Sequence, residues 1–332
     1  MHTSEISILL SGLSIKELNE FKNIEEVYEK CKKIKKRDIS KELDYIEKNN
    51  IEVINFFDDR YPNRLRQIPY PPVTLYFKGT LKEMELPIAI VGTRYPSGYG
   101  EKVVKYLTEN LVEAGFSIIS GLALGIDAMA HAWTLNKGGY TVAVLGCGID
   151  VVYPQKNRNL FKRIEKDGCI ISEFPISTPP NRYNFPARNR IIAGLSKGTI
   201  VVEADIKSGS LITARLTIEQ GKPVFSVPGE IFSKRSRGTN KLISEGAIPV
   251  LDINTILSYF YLELKADLNR LKEENAELTE NEKLILDSLK GEMNEDELSS
   301  LTGLNINELS EILFDLELKG LIKRTPVGYQ KI

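Results

Sequence analysis

Between Pro87 and Leu251 the sequence repeats one pattern, in which a short apolar segment is followed by a segment with helical periodicity. The apolar segments include Ile88–Val91, Phe116–Ile119 and Thr141–Leu145. Strands that are apolar along their whole length are buried on both faces, so helices must cover both sides of their sheet. The pattern therefore predicts an α/β fold with a doubly wound, mostly parallel sheet.

Short loops, several of them rich in glycine, follow the predicted strands, as in Gly92-Thr93-Arg94, Ser120-Gly121-Leu122 and Gly146-Cys147-Gly148. The carboxyl ends of parallel strands meet at one edge of a sheet, and ligands of doubly wound sheets bind there. Glycine allows the backbone to approach a ligand closely. We therefore expect a ligand site at this edge. The GxGxxG fingerprint is absent, which disfavours a dinucleotide, and no nucleophile, base and orienting residue form a recognisable set.

The stretch from Phe185 to Ala214 contains two groups that suit an anion. Arg188 and Arg190 flank Asn189, and guanidinium groups match the geometry of phosphate oxygens. Ser208-Gly209-Ser210 precedes a predicted helix, whose first N–H groups and partial positive charge favour anions. These features predict a phosphate-bearing ligand. The alternative is an ordinary strand and helix whose arginines are solvated at the surface.

Charge is distributed unevenly along the chain, although the net charge is only −1. Residues 87–252 carry 20 basic and 14 acidic side chains, whereas residues 277–332 carry 6 and 12. An acidic ligand would favour the first of these segments and be repelled by the second.

The pattern divides the 332 residues into five parts. Residues 1–50 are predicted to form a small helical unit, and 51–86 a proline-rich connector leading into the sheet. The sheet domain covers 87–252, a helical linker 253–276, and a winged-helix domain 277–332. The presumptive recognition helix Asn307–Lys319 carries four acidic residues and one lysine. We therefore expect this domain to contact protein or to have a regulatory role rather than to read duplex DNA.

The composition indicates a cytoplasmic protein without a membrane span, because no long apolar segment or signal peptide is recognisable. Three widely spaced cysteines and two histidines predict neither a disulfide framework nor a metal site. Asp127 and His131 are four residues apart on a predicted helix. They could form an acid–base pair, or Asp127 could favour the helix dipole while His131 lies in the interior.

Seven motifs in the central segment, in the same order, resemble the DNA-processing protein A family, also called DprA or Smf. They are GTR at 92–94, SGLALGIDAMAH at 120–131, AVLGCGIDVVYPQKN at 143–157, SEFP at 172–175, FPARNRIIAGLS at 185–196, VVEADIKSGSLITA at 201–214 and VFSVPG at 224–229. The resemblance implies an extended Rossmann-like domain that binds single-stranded DNA, forms a homodimer and loads the recombinase RecA during natural transformation. It implies no catalytic turnover and no cofactor. The N-terminal unit resembles the family's sterile-alpha-motif-like (SAM-like) domain.

The same resemblance implies which residues bind DNA. Arg94 corresponds to the family's main pocket arginine, with Arg188, Asn189 and Arg190 beside it, and Phe185 is expected to stack on a base, with core packing as the alternative. Further DNA-binding residues are expected at Ser120, Gly121, Lys156, Arg182, Ser208, Gly209, Ser210 and Asn240. The basic run Lys234, Arg235 and Arg237 is expected to be an outer DNA contact, or else a mobile solvated loop. Leu242, Ile243 and Ile248 are expected at the dimer interface, with burial in the core as the alternative.

Two other functions fit a sheet with glycine-rich loops. One is a nucleotide-binding enzyme of the phosphoribohydrolase-like kind, and the other is a nucleotide sensor that signals through the winged helix. The first class carries a PGGxGT-type loop with a glutamate, which the segment Val227–Glu230 does not match.

Overall fold

A computed structural model describes residues 40–261, 279–318, 321–325 and 327–331. The chain forms two compact units, residues 1–257 and 258–332. Most of the predicted N-terminal helical unit, residues 1–39, lies outside the described residues, as do residues 262–278. In the described part of the chain, no helix is long and apolar enough to cross a membrane.

The described residues of the first unit form a nine-stranded sheet. Its strands are β1 (Glu52–Asn55), β2 (Thr74–Gly79), β3 (Pro87–Val91), β4 (Ser117–Ser120), β5 (Thr141–Val144), β6 (Cys169–Ser172), β7 (Thr199–Val201), β8 (Val224–Ser226) and β9 (Ile248–Pro249). Its helices are α1 (Ser40–Lys48), α2 (Asn63–Arg66), α3 (Gly98–Glu113), α4 (Ile126–Asn136), α5 (Arg158–Asp167), α6 (Asn184–Leu195), α7 (Ser210–Glu219) and α8 (Arg237–Ser244). A further helix, α9, covers residues 253–261.

The strand order β1-β2-β6-β5-β4-β3-β7-β8-β9 confirms the predicted α/β class with a mostly parallel sheet. Strands β3 to β9 are all parallel to one another, whereas β1 and β2 are antiparallel additions beside β6. The predicted connector 51–86 thus contributes two strands to the sheet. The order reverses on the two sides of β3, so the chain's topological switch point lies between the carboxyl ends of β3 and β7.

Apolar side chains cover both faces of the sheet. In β5, Val142 and Val144 belong to one buried cluster and Ala143 belongs to another on the opposite face. Ile171 and Ile170 of β6 alternate in the same way. This two-sided burial explains why the strands are continuously apolar instead of alternating with polar residues.

From residue 279 onward, the described residues of the second unit form the helices α10 (Glu280–Ser288), α11 (Glu295–Thr302) and α12 (Ile306–Leu318), and a hairpin of β10 (Ile322–Arg324) and β11 (Tyr329–Lys331). Thr279 and Asn294 begin α10 and α11 with capping boxes, each closed by a glutamate three residues later. Leu298, Leu313 and Ile322 contribute to a core shared by the helices and the hairpin. This arrangement confirms the predicted winged helix.

Candidate nucleic-acid interface

The carboxyl ends of β3 to β9 bring the predicted site loops to one edge of the sheet. Loops from distant parts of the sequence are tied together there by hydrogen bonds. Thr93 donates its N–H to the carbonyl of Glu203 at 2.7 Å, and Arg235 donates from Nε to the carbonyl of Tyr95 at 2.7 Å. Arg94 is exposed between these two contacts and has no hydrogen-bond or ion-pair partner among the residues described. Its guanidinium is therefore available to a ligand.

Arg188 lies below this surface and is 5% exposed. Its Nη1 donates to the carbonyl of Gly121 at 2.9 Å and to the carbonyl of Val144, so the guanidinium links the ends of β4 and β5. Burial, with a smaller contribution from the charge of Arg94, lowers the pKa of Arg188 to about 10, while Asp127 opposes this shift. At neutral pH Arg188 remains a cation, and it places a positive charge directly under the strand ends.

Asp127 and His131 are both buried on α4, and each has a local structural contact. Asp127 accepts the N–H of Gly121 at 3.1 Å, and burial raises the pKa of its carboxyl group. His131 is 0% exposed, and its Nδ1 lies 2.6 Å from the hydroxyl of Thr141. These contacts favour the structural interpretation of the pair over acid–base catalysis. Gly121 N–H is thus occupied by a protein carboxylate in this structure.

Arg190 is held differently from Arg188. Its Nη1 and Nη2 contact Oε1 and Oε2 of Glu173 at 2.5 and 2.6 Å, and its Nε donates to the carbonyl of Tyr70 at 2.8 Å. Both side chains of this ion pair are mostly buried. The charge of Arg190 is therefore largely neutralised by Glu173, and its expected contact with DNA stays a prediction.

Phe185 is half-buried at the start of α6, where its ring lies directly on Gly146. A Cβ atom at position 146 would lie 2.6 Å from the ring, so only glycine leaves room for it. Tyr153 packs against the same ring with the centroids 5.6 Å apart and the planes tilted by 33°. Two residues before Phe185, the ring of Tyr183 is exposed, and the guanidinium of Arg182 lies over it at 4.7 Å from the ring centroid. The ring pair of Phe185 and Tyr153 and the cation–π pair of Tyr183 and Arg182, rather than Phe185 alone, could therefore receive bases.

The N-terminus of α3 is occupied by a carboxylate. Glu203 follows β7, is 3% exposed, and accepts the N–H of Ser97 at 2.9 Å and the Ser97 hydroxyl at 2.5 Å. The Ser97 hydroxyl also accepts the N–H of Gly100 at 3.2 Å, as an N-cap does. The helix opening at the switch point, where doubly wound folds place a nucleotide phosphate, thus contains a protein anion.

The predicted helix opening at Ser208-Gly209-Ser210, before α7, is only partly occupied. The hydroxyl groups of Ser208 and Ser210 lie 2.8 Å apart, and Ser208 donates its N–H to the backbone carbonyl of Asp205. Asn189 donates to the carbonyl of Gly209 at 3.3 Å, which ties α6 to this loop. Asn240 contacts the backbone of Gly229 through both ends of its amide, so it shapes the loop after β8.

The remaining predicted cations are at the surface. Lys156, Lys234 and Arg237 are exposed and have no ion-pair partner in the described part of the chain. Ser120 differs, because it is fully buried and its hydroxyl donates to the carbonyl of Ile90 at 2.6 Å. The expected contacts of these four residues with DNA stay predictions.

Of the three residues expected at a dimer interface, Leu242 is in the buried core of the sheet unit. Ile243 on α8 and Ile248 on the edge strand β9 are half-buried. No cluster that could hold a metal ion occurs among the described residues.

Sequence reasoning assigned no role at the site to Glu173, Glu203 or Tyr153. Each lies inside a motif: Glu173 in SEFP, Glu203 in VVEAD and Tyr153 in YPQKN. An acidic residue directly after an apolar strand was the available signal for the two glutamates, because such a position faces the ligand edge of the sheet.

Comparison with known proteins assigns both units. The family model described as DNA recombination-mediator protein A matches residues 52–261, and the one described as DprA winged helix domain matches residues 270–328. Protein Smf of Escherichia coli is 34% identical over 343 residues, covering 100% of this chain and 88% of the relative. DNA processing protein DprA of Bacillus subtilis is 45% identical over 59% of this chain and 67% of its own length. The match to protein Smf of Synechocystis, 44% identical, covers 65% of this chain and 56% of that protein.

Two solved structures of similar proteins share this fold. The DNA processing protein A of Streptococcus pneumoniae is 37% identical with a TM-score of 0.64, covering 78% of this chain and 86% of its own. The DNA processing protein A of Helicobacter pylori, solved for its single-stranded DNA binding mode, is 32% identical with a TM-score of 0.59. The match covers 64% of this chain and 96% of that protein's chain. Together with the motifs at the sheet edge, these matches show that the chain belongs to the DNA recombination-mediator protein A family.

Proposed function

We propose that this protein binds single-stranded DNA at the carboxyl edge of its sheet, without catalytic turnover. The observation that carries the proposal is the exposed guanidinium of Arg94, which is unpaired among the residues that the structure describes. It lies next to Arg235 and above the buried charge of Arg188. The related protein from Helicobacter pylori, which was solved for its single-stranded DNA binding mode, supports the same ligand. Cations for the backbone and aromatic faces for bases are what a binder without sequence preference requires.

The kinds of side chain at this edge, guanidinium groups and aromatic rings, suit binding without sequence preference. Guanidinium groups contact phosphates, and the rings of Phe185 and Tyr153 can stack on any base. The carboxylate of Glu203 occupies the N-terminus of α3, where the phosphate of a bound nucleotide would lie. This contact argues against the alternative of a nucleotide-binding enzyme or sensor.

A salt series tests the proposal. For fluorescent oligo-dT binding to the full chain, the logarithm of the association constant should fall linearly with the logarithm of the salt concentration. The slope should be about −0.7 per phosphate contact. Arg94→Ala should lose much more affinity than the matched surface variant Lys323→Ala in the wing. Affinity that does not change with salt, or equal losses in the two variants, would contradict the assignment of DNA to this edge.

The wider role that we propose is DNA processing in natural transformation or another form of homologous recombination, in the cytoplasm. The family resemblance supports a homodimer that loads RecA on the bound strand. Among the expected dimer residues, Ile243 and Ile248 retain exposed surface at the β9 edge of the sheet, which supports that edge as the interface. Size measurement in solution of wild type and Ile248→Glu tests the dimer, since the variant should be monomeric.

For the winged helix we propose a protein contact. The exposed side of α12 carries Glu311, Asp315 and Glu317, with Phe314 60% exposed among them. Carboxylates at this position would repel DNA phosphates, whereas an exposed ring surrounded by negative charge suits a basic protein segment with an apolar side chain. Loss of partner binding in Phe314→Ala, with single-strand binding unchanged, is the expected result.

A further inference from the structure

The loop that carries Arg94 is held at its two ends by one neighbouring loop. Glu203 contributes its carbonyl to the N–H of Thr93 and its carboxylate to the N–H and hydroxyl of Ser97. Residues 93 and 97 bracket Arg94, and all three contacts come from a single residue that is 3% exposed. The conformation of the Arg94 loop therefore depends directly on Glu203.

The fit between α3 and this carboxylate leaves no space for another group. A Cβ atom at Gly100 would lie 2.4 Å from Oε2 of Glu203, so a side chain at that position would displace the carboxylate. The negative charge also lies at the positive end of a helix of 16 residues, where it is electrostatically favoured. The first turn of α3 is thus shaped around Glu203.

We propose that Glu203 determines which anions this edge of the sheet accepts. Its carboxylate excludes a free phosphate group from the N-terminus of α3, and its three contacts hold Arg94 outward, where a phosphate of a continuous strand can reach the guanidinium. Glu203 is a positioning residue, since it touches the Arg94 loop and not the ligand. The part that concerns DNA rests on the function proposed above, whereas the exclusion of phosphate does not.

Three variants of the full chain separate these roles. Glu203→Ser empties the α3 opening and removes the carboxylate contacts, whereas Glu203→Gln fills the same space without the charge. Glu230→Gln removes an equal charge from an exposed position in the neighbouring loop after β8 and serves as the matched control. Circular dichroism during heating verifies that each variant folds.

The first measurement is calorimetric titration with inorganic pyrophosphate. Glu203→Ser should bind it at least about tenfold more tightly than wild type, because unpaired N–H groups at a helix opening bind anions. Glu203→Gln and Glu230→Gln should resemble wild type. Equal affinities of wild type and Glu203→Ser for pyrophosphate would overturn the exclusion.

The second measurement is binding of oligo-dT at a fixed salt concentration. Glu203→Ser should bind oligo-dT about tenfold more weakly than wild type. Without its carboxylate contacts the Arg94 loop can shift, and a displacement of about 1 Å in a binding group is enough to weaken binding strongly. Glu203→Gln should stay within about twofold of wild type, because its amide can still bridge to Ser97. Unchanged binding in Glu203→Ser would overturn the positioning role.

Should Glu203→Ser not fold, Ser97→Ala replaces it. That variant removes the hydroxyl contact to Glu203 and should weaken oligo-dT binding by at least about threefold. Binding equal to that of wild type would again overturn the positioning role. If wild type itself fails to bind oligo-dT, the proposed function fails, while the pyrophosphate titration still decides whether Glu203 excludes phosphate.

Discussion

Arg190 and Glu173 form a two-pronged ion pair, with Nη1–Oε1 and Nη2–Oε2 distances of 2.5 and 2.6 Å, between α6 and the loop after β6. Two arginines of the same motif thus have different environments. Arg188 is buried among backbone carbonyls, and Arg190 is neutralised by a carboxylate. Neither is as free as Arg94 to meet a phosphate.

Removing the partner of Arg190 should therefore increase DNA binding. Glu173→Gln leaves the guanidinium without its carboxylate, so we expect oligo-dT affinity to rise severalfold at low salt and the salt dependence to become steeper. The salt series described above measures both effects, with Glu230→Gln as the control for a simple loss of negative charge. An unchanged slope would mean that Arg190 lies away from the strand.

Arg190→Ala should mainly affect stability. It leaves Glu173 mostly buried without its counter-ion and the carbonyl of Tyr70 without a donor, at a cost of about 2 kcal/mol in the free energy of unfolding. Urea denaturation measures this change. A loss below about 0.5 kcal/mol, the range of ordinary surface substitutions, would contradict it.

Arg188→Lys should destabilise the protein although it preserves the charge. A lysine has no rigid fork with which to reach the carbonyls of Gly121 and Val144 together, and its ammonium is more strongly hydrated than a guanidinium. We expect a loss of about 2–4 kcal/mol, as for disruption of a buried hydrogen-bonded cation. Arg94→Lys is the matched control and should have almost no effect on stability, since Arg94 is exposed.

Stability should fall with acid because of His131. Burial lowers the pKa of His131 from 6.5 to about 3, so the folded state keeps the ring neutral where the unfolded chain takes up a proton. The contribution of the neutral His131 ring to the free energy of unfolding is fully present above pH 6.5. It decreases as the pH falls from 6.5 towards the pKa of His131 in the folded state, about 3. In that window the slope reaches about 1.4 kcal/mol per pH unit for one proton.

Urea denaturation at a series of pH values between 5 and 7 measures this slope, with the values chosen to keep most carboxyl groups ionised. In His131→Asn the slope of the free energy of unfolding against pH should be smaller by up to about 1.4 kcal/mol per pH unit, the value for one proton. This difference is expected even if the variant is less stable than wild type at neutral pH. Identical slopes in variant and wild type would show that the ring of His131 takes up its proton over the same pH range in the folded and unfolded states, which would contradict a pKa lowered by burial.

Deleting residues 277–332 should leave oligo-dT binding intact. The segment carries 6 basic and 12 acidic side chains and lies within the second compact unit. Its removal takes away negative charge, so affinity at low salt should be equal or slightly higher. Complete loss of binding would mean that the winged helix contributes to the DNA site.

The amino-acid sequence by itself determined the fold class and the edge of the sheet at which the loops of the candidate site meet. Continuously apolar strands require two covered faces, as the opposite clusters around Val142 and Ala143 show, and parallel strands bring their carboxyl ends together. The winged helix was equally predictable, because its helical periodicity and hairpin are local features of the sequence.

Only the tertiary structure decided which charged residues of the site are free. Arg94, Arg188 and Arg190 are all arginines in motif positions, yet burial and partners distant in sequence distinguish them: Gly121 for Arg188 and Glu173 for Arg190. Glu203 is a further example, because in the sequence it is one of several polar residues that follow a strand. Its contact with Ser97, which is 106 positions away, is visible only in the structure. Periodicity and motif spacing report on neighbours in sequence, whereas the accessibility of a charge depends on contacts that form when the whole sheet assembles.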